Sequence, residues 1–325
     1  MEPLLMKNNI WLGILFCGIA SISWGAMFPI ANDAFHYINP FYFTLIRYIP
    51  VVVILVFLLY LAEGKESFRL EGKGWSIWFF GTMGFTIYNI FIFWGQDLLQ
   101  DQGVLLASIM EALAPILSIF ILWFLYNSRP YRFTMITIAG AFIGVVLVVT
   151  NGEFSVLFEM NHSMPLIILL LAALGWAFYT IGGSTFEGWS VLRYSTLSCL
   201  YGTLTAIVFV GIGSALQLID IPSISNIVTI KYHMLFMILL PGLFALLFWN
   251  KGVMVLKPIN AILFINLAPV TTVLIRFLQG YSISIYELSG VAIVCTMIIS
   301  NNLHQRLLQA RTNKRHVHKD SKLVS

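Results

Sequence analysis

Leu113-Ala114-Pro115 lies inside an apolar segment and recurs, again inside an apolar segment, as Leu267-Ala268-Pro269. The residues around the two tripeptides recur as well, at a nearly constant spacing. The matched pairs are Phe93-Trp94 with Phe248-Trp249, Trp24-Gly25 with Gly175-Trp176, and Gly140 with Gly290. The chain therefore contains an internal duplication. Prolines embedded in the apolar segments of such a duplication are typical of secondary transporters.

The composition places the chain in a membrane. Hydrophobic residues make up 59% of it, charged residues only 10%, and the mean hydropathy is +0.89. In soluble domains about a quarter of the residues are charged. The three cysteines, Cys17, Cys199 and Cys295, lie in apolar runs, which argues against a disulfide framework and against a thiolate metal site.

Apolar runs long enough to cross about 30 Å of hydrocarbon predict an all-α integral membrane protein with ten transmembrane helices. Breaks with turn residues, such as Asn39-Pro40 and Asn151-Gly152, separate the runs. The predicted spans are roughly 10–31, 42–62, 75–98, 102–126, 131–150, 164–185, 191–216, 232–256, 259–280 and 284–303. We expect residues 1–152 to form one five-helix repeat, 153–303 a second, and 304–325 a basic, largely disordered tail.

The cationic residues predict that both termini are cytoplasmic, because Lys and Arg in short loops are retained on that side. Of the 18 Lys and Arg residues, Arg47, Lys251 and Arg276 fall within predicted spans, Lys231 falls outside the cell, and the other fourteen fall inside. We expect Lys251 and Arg276 to snorkel toward the membrane surface. Since each repeat has five helices, the second repeat enters the membrane inverted, as alternating access requires.

The prolines of the two tripeptides predict broken helices, since a proline cannot bond to the carbonyl four residues before it. Pro115 frees the carbonyl of Glu111, and Pro269 frees that of Ile265, beside Asn266. We predict that Pro115 and Pro269 act as hinges and that Asn266 lines a central cavity. The alternative is that these prolines only shape helix packing.

Glu111 is an acid deep inside a predicted span, roughly 13 Å from its outer end at 1.5 Å per residue. A carboxyl at that depth is costly unless it is neutral, paired or facing water, so it is a candidate for substrate binding and for proton coupling. The alternative is a protonated carboxyl that only packs between helices.

Arg47 lies five residues into the second predicted span. It could snorkel to the headgroups, or face a cavity and bind a substrate carboxylate through two hydrogen bonds. Repeat alignment places Ser198 opposite Arg47, so this charge occurs in one half of the duplication only.

Aromatic and amide residues near the middle of the spans complete the predicted substrate site. Trp24 and Trp176 occupy matched positions, each beside a glycine that permits close approach. Further candidates for the cavity wall are Tyr88, Asn89, Trp94, Tyr179, Trp249 and Asn250. A mostly apolar pocket with few polar groups suits a small organic ligand better than a bare ion.

The sequence does not favour an enzyme, a metal site or a cofactor. It lacks an H-E-x-x-H motif and a plausible pair of nucleophile and base, and three of its six histidines lie in the tail. A channel or a receptor does not need an inverted duplication, and ten spans do not match a seven-helix receptor.

The chain resembles the EamA-type branch of the drug/metabolite transporter superfamily. The resemblance rests on the two Ala-Pro pairs, the glycine-rich segments 138–144 and 288–292, Ser23-Trp24-Gly25 followed by Pro29, and Arg47. It covers about Trp11 to Asn302. The family often ends its fourth and ninth helices with Gly-Glu, whereas this chain has Tyr126-Asn127-Ser128 and Gln279-Gly280-Tyr281.

The resemblance implies a secondary transporter in the bacterial cell membrane that exports a small metabolite, amino acids with apolar or aromatic side chains foremost. The partners are then the substrate and the lipid bilayer, with no nucleic acid and no cofactor. The alternative within the same fold is a drug or nucleotide-sugar carrier. A strongly anionic ligand would require more cavity cations than Arg47 alone.

Overall fold

The computed structural model describes residues 10–126, 131–153, 160–256 and 262–323, and these residues form helices joined by short connections. The main helices are α1 Ile10–Phe35, α2 Pro40–Glu63, α3 Gly74–Leu98, α4 Gln100–Tyr126, α5 Arg132–Thr150, α6 Met160–Gly182, α7 Val191–Ala215, α8 Lys231–Leu256, α9 Leu267–Leu278 and α10 Ile285–Leu323. A 3-10 turn, Ile262–Asn266, leads directly into α9.

In the described part of the chain, six helices are long and apolar enough to cross a membrane: α1, α2, α3, α6, α7 and α8. Shorter apolar stretches lie in α5, α9 and α10, and α4 has 27 residues. The all-helical membrane class is as predicted, while the number of crossings stays a prediction. In contrast to the disordered tail that we expected, α10 continues as a helix to Leu323.

Local sequence explains where several helices begin and end. The Asn39 side chain accepts a hydrogen bond from the Tyr42 backbone N–H, and Pro40 occupies the first turn of α2, where its missing donor costs nothing. Ser190 caps α7 in the same way, through the Arg193 backbone N–H. Asn151 ends α5 in the left-handed conformation, at φ 48°.

The helix pairs that pack together map onto one another when the two halves of the chain are exchanged. The α1–α8 pair corresponds to the α6–α3 pair, and α1–α9 corresponds to α6–α4. Likewise α2–α8 corresponds to α7–α3, and α5 packs on α10. Glycines permit these close crossings. A Cβ on Gly202 would collide with the backbone carbonyl of Gly81, and one on Gly144 with that of Gly290.

Two helices are interrupted by a segment of π-helix, in which N–H groups bond five residues back. The segment in α3 is Thr82–Ile87, and the segment in α8 is Ile238–Phe244, which contains Pro241. These two helices correspond in the duplication. In α9, the predicted break appears as the change from 3-10 to α-helix at Asn266, whereas α4 runs without interruption through position 115.

We predict that Gly202→Ala destabilises the protein and that Gly211→Ala, on the same helix, does not. An added methyl at 202 meets the Gly81 backbone, whereas one at 211 meets nothing within 4 Å. Forcing a methyl into a packed crossing typically costs about 1–3 kcal/mol. Thermal unfolding of the two purified variants should separate them by several degrees, and equal melting temperatures would contradict the α3–α7 crossing.

Candidate substrate site at the centre of the bundle

A small cavity lies where α1, α2, α3, α4, α6 and α8 meet. Its volume is about 20 Å³, which is enough for a water molecule but not for an organic substrate. The residues around it are Trp24, Met27, Arg47, Tyr48, Phe85, Tyr88, Glu111, Trp176, Pro241, Gly242 and Leu246. The structure therefore shows this site in a closed form.

Arg47 on α2 is only 2% exposed, so its side chain does not reach the surface as a snorkelling arginine would. Its Nη1 donates to Asn89 Oδ1 at 3.4 Å and lies 3.9 Å from Met27 Sδ, and the guanidinium is 4.8 Å from the centre of the Tyr48 ring. Its Nε has no hydrogen-bond partner. Among the described residues no acid lies within ion-pair distance of Arg47.

Glu111 on α4 is also 2% exposed, and its Oε2 has no hydrogen-bond partner. The Tyr88 hydroxyl lines the same cavity, and it too has no hydrogen-bond partner. Arg47 and Glu111 thus face the same cavity, but they do not form an ion pair with each other.

Aromatic rings surround the two charged groups. The Trp24 ring centre is 6.0 Å from that of Trp176, and the Trp176 centre is 4.9 Å from that of Tyr88. Trp24 is held in place because its Nε1 donates to the Pro241 carbonyl at 3.2 Å. These rings exclude water and provide flat apolar surfaces for an organic ligand.

Both π segments contribute to the cavity wall: Phe85 comes from α3, and Pro241 and Gly242 come from α8. Sequence reasoning did not select these three residues, nor Met27, Tyr48 and Leu246. A usable signal was present, since Pro241-Gly242 is a helix-breaking pair in the middle of a span.

The other predicted site residues lie around the cavity rather than in its wall. Asn89 and Tyr179 are buried behind Arg47 and Trp176, and Trp249 packs on Trp24 with ring centres 5.3 Å apart. Asn250 donates to Ser195 Oγ at 2.9 Å, and Trp94 packs on Phe41. Asn266 and Pro269 are buried at the start of α9, and the Pro115 side chain lies outside the described residues.

A polar cluster joins the two halves at the end of the bundle where α4 begins and α9 ends. Arg276 pairs with Asp101 at 2.5 Å and lies 4.3 Å from the centre of the Tyr281 ring. Asp101 also accepts from Asn32 at 3.3 Å. Arg276 is buried, so the expectation that it snorkels is wrong: the acid that holds it is far away in sequence. Lys251, in contrast, is exposed.

A second cluster lies at the opposite end of the bundle. Arg193 at the start of α7 pairs with Glu71 at 2.8 Å and lies 4.2 Å from the centre of the Trp189 ring. Trp189 Nε1 also donates to Glu71 at 2.9 Å. These hydrogen bonds, together with the charge of Arg193, lower the pKa of the Glu71 carboxyl. The central cavity therefore lies between two charged clusters.

The described residues contain no group of three or more His, Cys, Asp or Glu side chains placed to hold a metal ion. Cys17, Cys199 and Cys295 are free thiols and buried.

Comparison with known proteins gives the family. A model of the EamA-like transporter family matches residues 11–150 and, separately, residues 163–302. The chain belongs to this family. The resemblance found in the sequence is thus confirmed, and the chain is a multi-pass membrane protein of a transporter family.

Relatives of this EamA-like protein are similar over nearly its whole length. The uncharacterized transporter YrdR of Bacillus subtilis (strain 168) is 47% identical over 303 residues, which are 93% of this chain and 94% of YrdR. The uncharacterized transporter YyaM of the same organism is 24% identical over 298 residues, 91% of this chain and 94% of YyaM. A solved crystal structure covers 91% of this chain and 97% of its own at 19% identity, with a TM-score of 0.63, which shows a shared fold.

Proposed function

We propose that the protein is a secondary transporter that exports a small zwitterionic metabolite, an amino acid with an apolar or aromatic side chain, by alternating access. The observation that carries this proposal is the pair of unpaired opposite charges, Arg47 and Glu111, in one closed aromatic cavity. An arginine fork binds a carboxylate in two-point geometry, and a carboxylate binds an ammonium group.

The energetics favour a ligand that carries both charges. An uncompensated charge in a low-dielectric interior costs several kcal/mol, and pairing offsets much of that cost. A zwitterion between Arg47 and Glu111 would compensate both groups at once. A bare cation would leave Arg47 unpaired, and a bare anion would leave Glu111 unpaired or protonated. The tryptophan walls suit an apolar or aromatic side chain.

The proposed setting is a bacterial plasma membrane with ten crossings and both termini in the cytoplasm. Residues 1–152 and 153–303 would be inverted repeats, and 304–325 a cytoplasmic tail. The exchange of packed helix pairs between the halves supports this arrangement. So does the antiparallel α5–α10 pair, in which Gly140 lies against Met297 and Gly290 against Val148.

In this orientation the Asp101–Arg276 cluster closes the external side of the cavity. For the outward-open state, α4 and α9 would separate there and the ion pair would break. Pro115, Pro269 and the two π segments are the points at which the helices could bend, because their backbone hydrogen bonds are already altered. Glu111 is in addition the proposed site for proton coupling.

A carrier of lipophilic cations is the alternative, because Glu111 with its aromatic neighbours could bind an organic cation. Arg47 in the same cavity disfavours it. A nucleotide-sugar carrier is less consistent with the site, because a diphosphate would need more than one cation.

We predict that Arg47→Gln weakens transport of L-phenylalanine by about tenfold or more, the value of a lost charge-assisted contact, and barely affects L-phenylalaninamide. The amide has no carboxylate for Arg47 to bind. Uptake of the labelled compounds into vesicles of defined orientation measures the ratio. Equal losses for acid and amide would contradict the carboxylate role.

We predict that Glu111→Gln gives a folded protein that transports L-phenylalanine poorly but retains N-acetyl-L-phenylalanine, which has a carboxylate and no ammonium group. The neutral isostere keeps the packing and removes both the partner of the ammonium group and the proton site. Transport with and without an imposed pH gradient tests both roles. Unchanged L-phenylalanine transport with unchanged pH dependence would exclude them.

We predict that Asp101→Asn opens the external side of the cavity more often. In a variant whose native cysteines are replaced by alanine, Met27→Cys should react with a membrane-impermeant thiol reagent roughly fivefold faster when Asp101→Asn is added, as the loss of a ~1 kcal/mol pair implies. Gln279→Ala, which removes the exposed link to Asp33, is the matched control. No change in rate would mean that the pair does not close this side.

A further inference from the structure

We propose that Asn89 is a positioning residue that keeps the Arg47 guanidinium oriented but uncompensated, and that it thereby decides whether the site accepts a zwitterion or a cation. The inference rests on the proposed function, in which Arg47 binds a substrate carboxylate. Asn89 itself does not line the cavity, so it acts on the substrate through Arg47.

The backbone of α3 fixes the orientation of the Asn89 amide. Asn89 is fully buried, and its Nδ2 donates at 2.8 Å to the carbonyl of Gly84, inside the π segment of the same helix. Because a carbonyl can only accept, the nitrogen of the amide must face Gly84. The oxygen then faces Arg47, whose Nη1 donates to it at 3.4 Å.

The oxygen that Asn89 presents to Arg47 is a neutral hydrogen-bond acceptor. An amide oxygen orients the guanidinium but does not cancel its charge, whereas a carboxylate would form an ion pair with it. With asparagine at 89, Arg47 keeps its full charge and an unpartnered Nε. An anionic group of the substrate can therefore complete the site.

The second half of the chain has no such arrangement. The match of Phe93 with Phe248 pairs Asn89 with Phe244, and Ser198 stands opposite Arg47. The second half instead supplies Gly242, where a Cβ would lie 3.7 Å from Arg47 Nε. The carboxylate-binding group is thus held from one side by Asn89, while the glycine at 242 places no side chain beside its Nε.

Asn89→Asp tests the proposal because it introduces a charge with little change in shape. It also removes the N–H that donates to the Gly84 carbonyl, a loss that Asn89→Leu shares and therefore controls for. The new carboxylate would neutralise Arg47 and leave Glu111 as the uncompensated charge of the site. Measured in the same vesicles, the ratio of L-phenylalaninamide to L-phenylalanine transport should rise about tenfold or more over wild type, the size of one lost charge-assisted contact. Amide transport itself should be kept or increased.

Asn89→Leu is the companion variant, since it removes the acceptor without adding a charge. It should raise the KM for L-phenylalanine, leave its maximal rate within about twofold, and give no increase in amide transport. Ligand-induced shifts in melting temperature of the purified variants, with acid and amide as probes, report the same preference independently of transport. A variant with a wild-type melting temperature is folded, and loss of folding in both would show a structural role and overturn the proposal.

The outcomes separate the two inferences. If Arg47→Gln leaves the preference for acid over amide unchanged, the carboxylate role in the proposed function fails, and the role of Asn89 fails with it. If Arg47→Gln abolishes the preference while Asn89→Asp keeps it, only the Asn89 proposal fails. If Asn89→Asp and Asn89→Leu behave alike, Asn89 contributes to packing and does not set the charge type.

Discussion

A guanidinium buried in an apolar bundle, with no acid at ion-pair distance among the described residues, is the constraint on which the site depends. An arginine stays charged in any protein environment, so Arg47 can be accommodated only by groups that approach it. Asn89, Met27 and the face of Tyr48 supply part of that stabilisation. They supply no negative charge. The cavity has room for about one water molecule, and an anionic ligand would supply the charge that these groups lack.

The duplication and the site obey different rules. Helix packing is close to symmetric, because the main packed pairs map onto one another when the two halves are exchanged. The charged groups are asymmetric: Ser198 stands opposite Arg47 and Ile265 opposite Glu111. A symmetric scaffold provides two nearly equivalent arrangements of the helices. Because the two charges are not related by this symmetry, they hold the ligand in the same orientation in both arrangements. The helices can therefore move while the groups that bind the ligand stay the same.

Hydrophobicity sufficed to predict the all-helical membrane class. The spans follow from runs of apolar residues, and the break before α9 follows from the proline at 269. Five predicted site residues, Trp24, Arg47, Tyr88, Glu111 and Trp176, line one cavity. Trp94 does not, although it lies on the same helix as Tyr88. Six residues of regular α-helix separate the two side chains by about 240° around the axis, and both lie beyond the π segment, so they point to different faces.

The sequence also could not show which residues form ion pairs when they lie far apart along the chain. Arg276 appeared to be a snorkelling residue because it lies close to a predicted helix end, yet Asp101 lies against it in the fold. Pairings of this kind depend on how helices from different repeats approach, and a single sequence carries no local signal for them.

The two π segments share one structural feature: both contribute residues to the cavity that Arg47 lines. Asn89 connects the cation to the Gly84 carbonyl in the segment of α3, and Gly242 in the segment of α8 lines the same cavity as Arg47. A π segment can shift the register of the residues beyond it, because its hydrogen bonds are longer-spaced than those of the adjoining helix. The two segments lie in α3 and α8, which are corresponding helices of the two halves. A change of register in either one would therefore move the surroundings of the same guanidinium, because both segments contribute to the wall of the cavity that Arg47 lines.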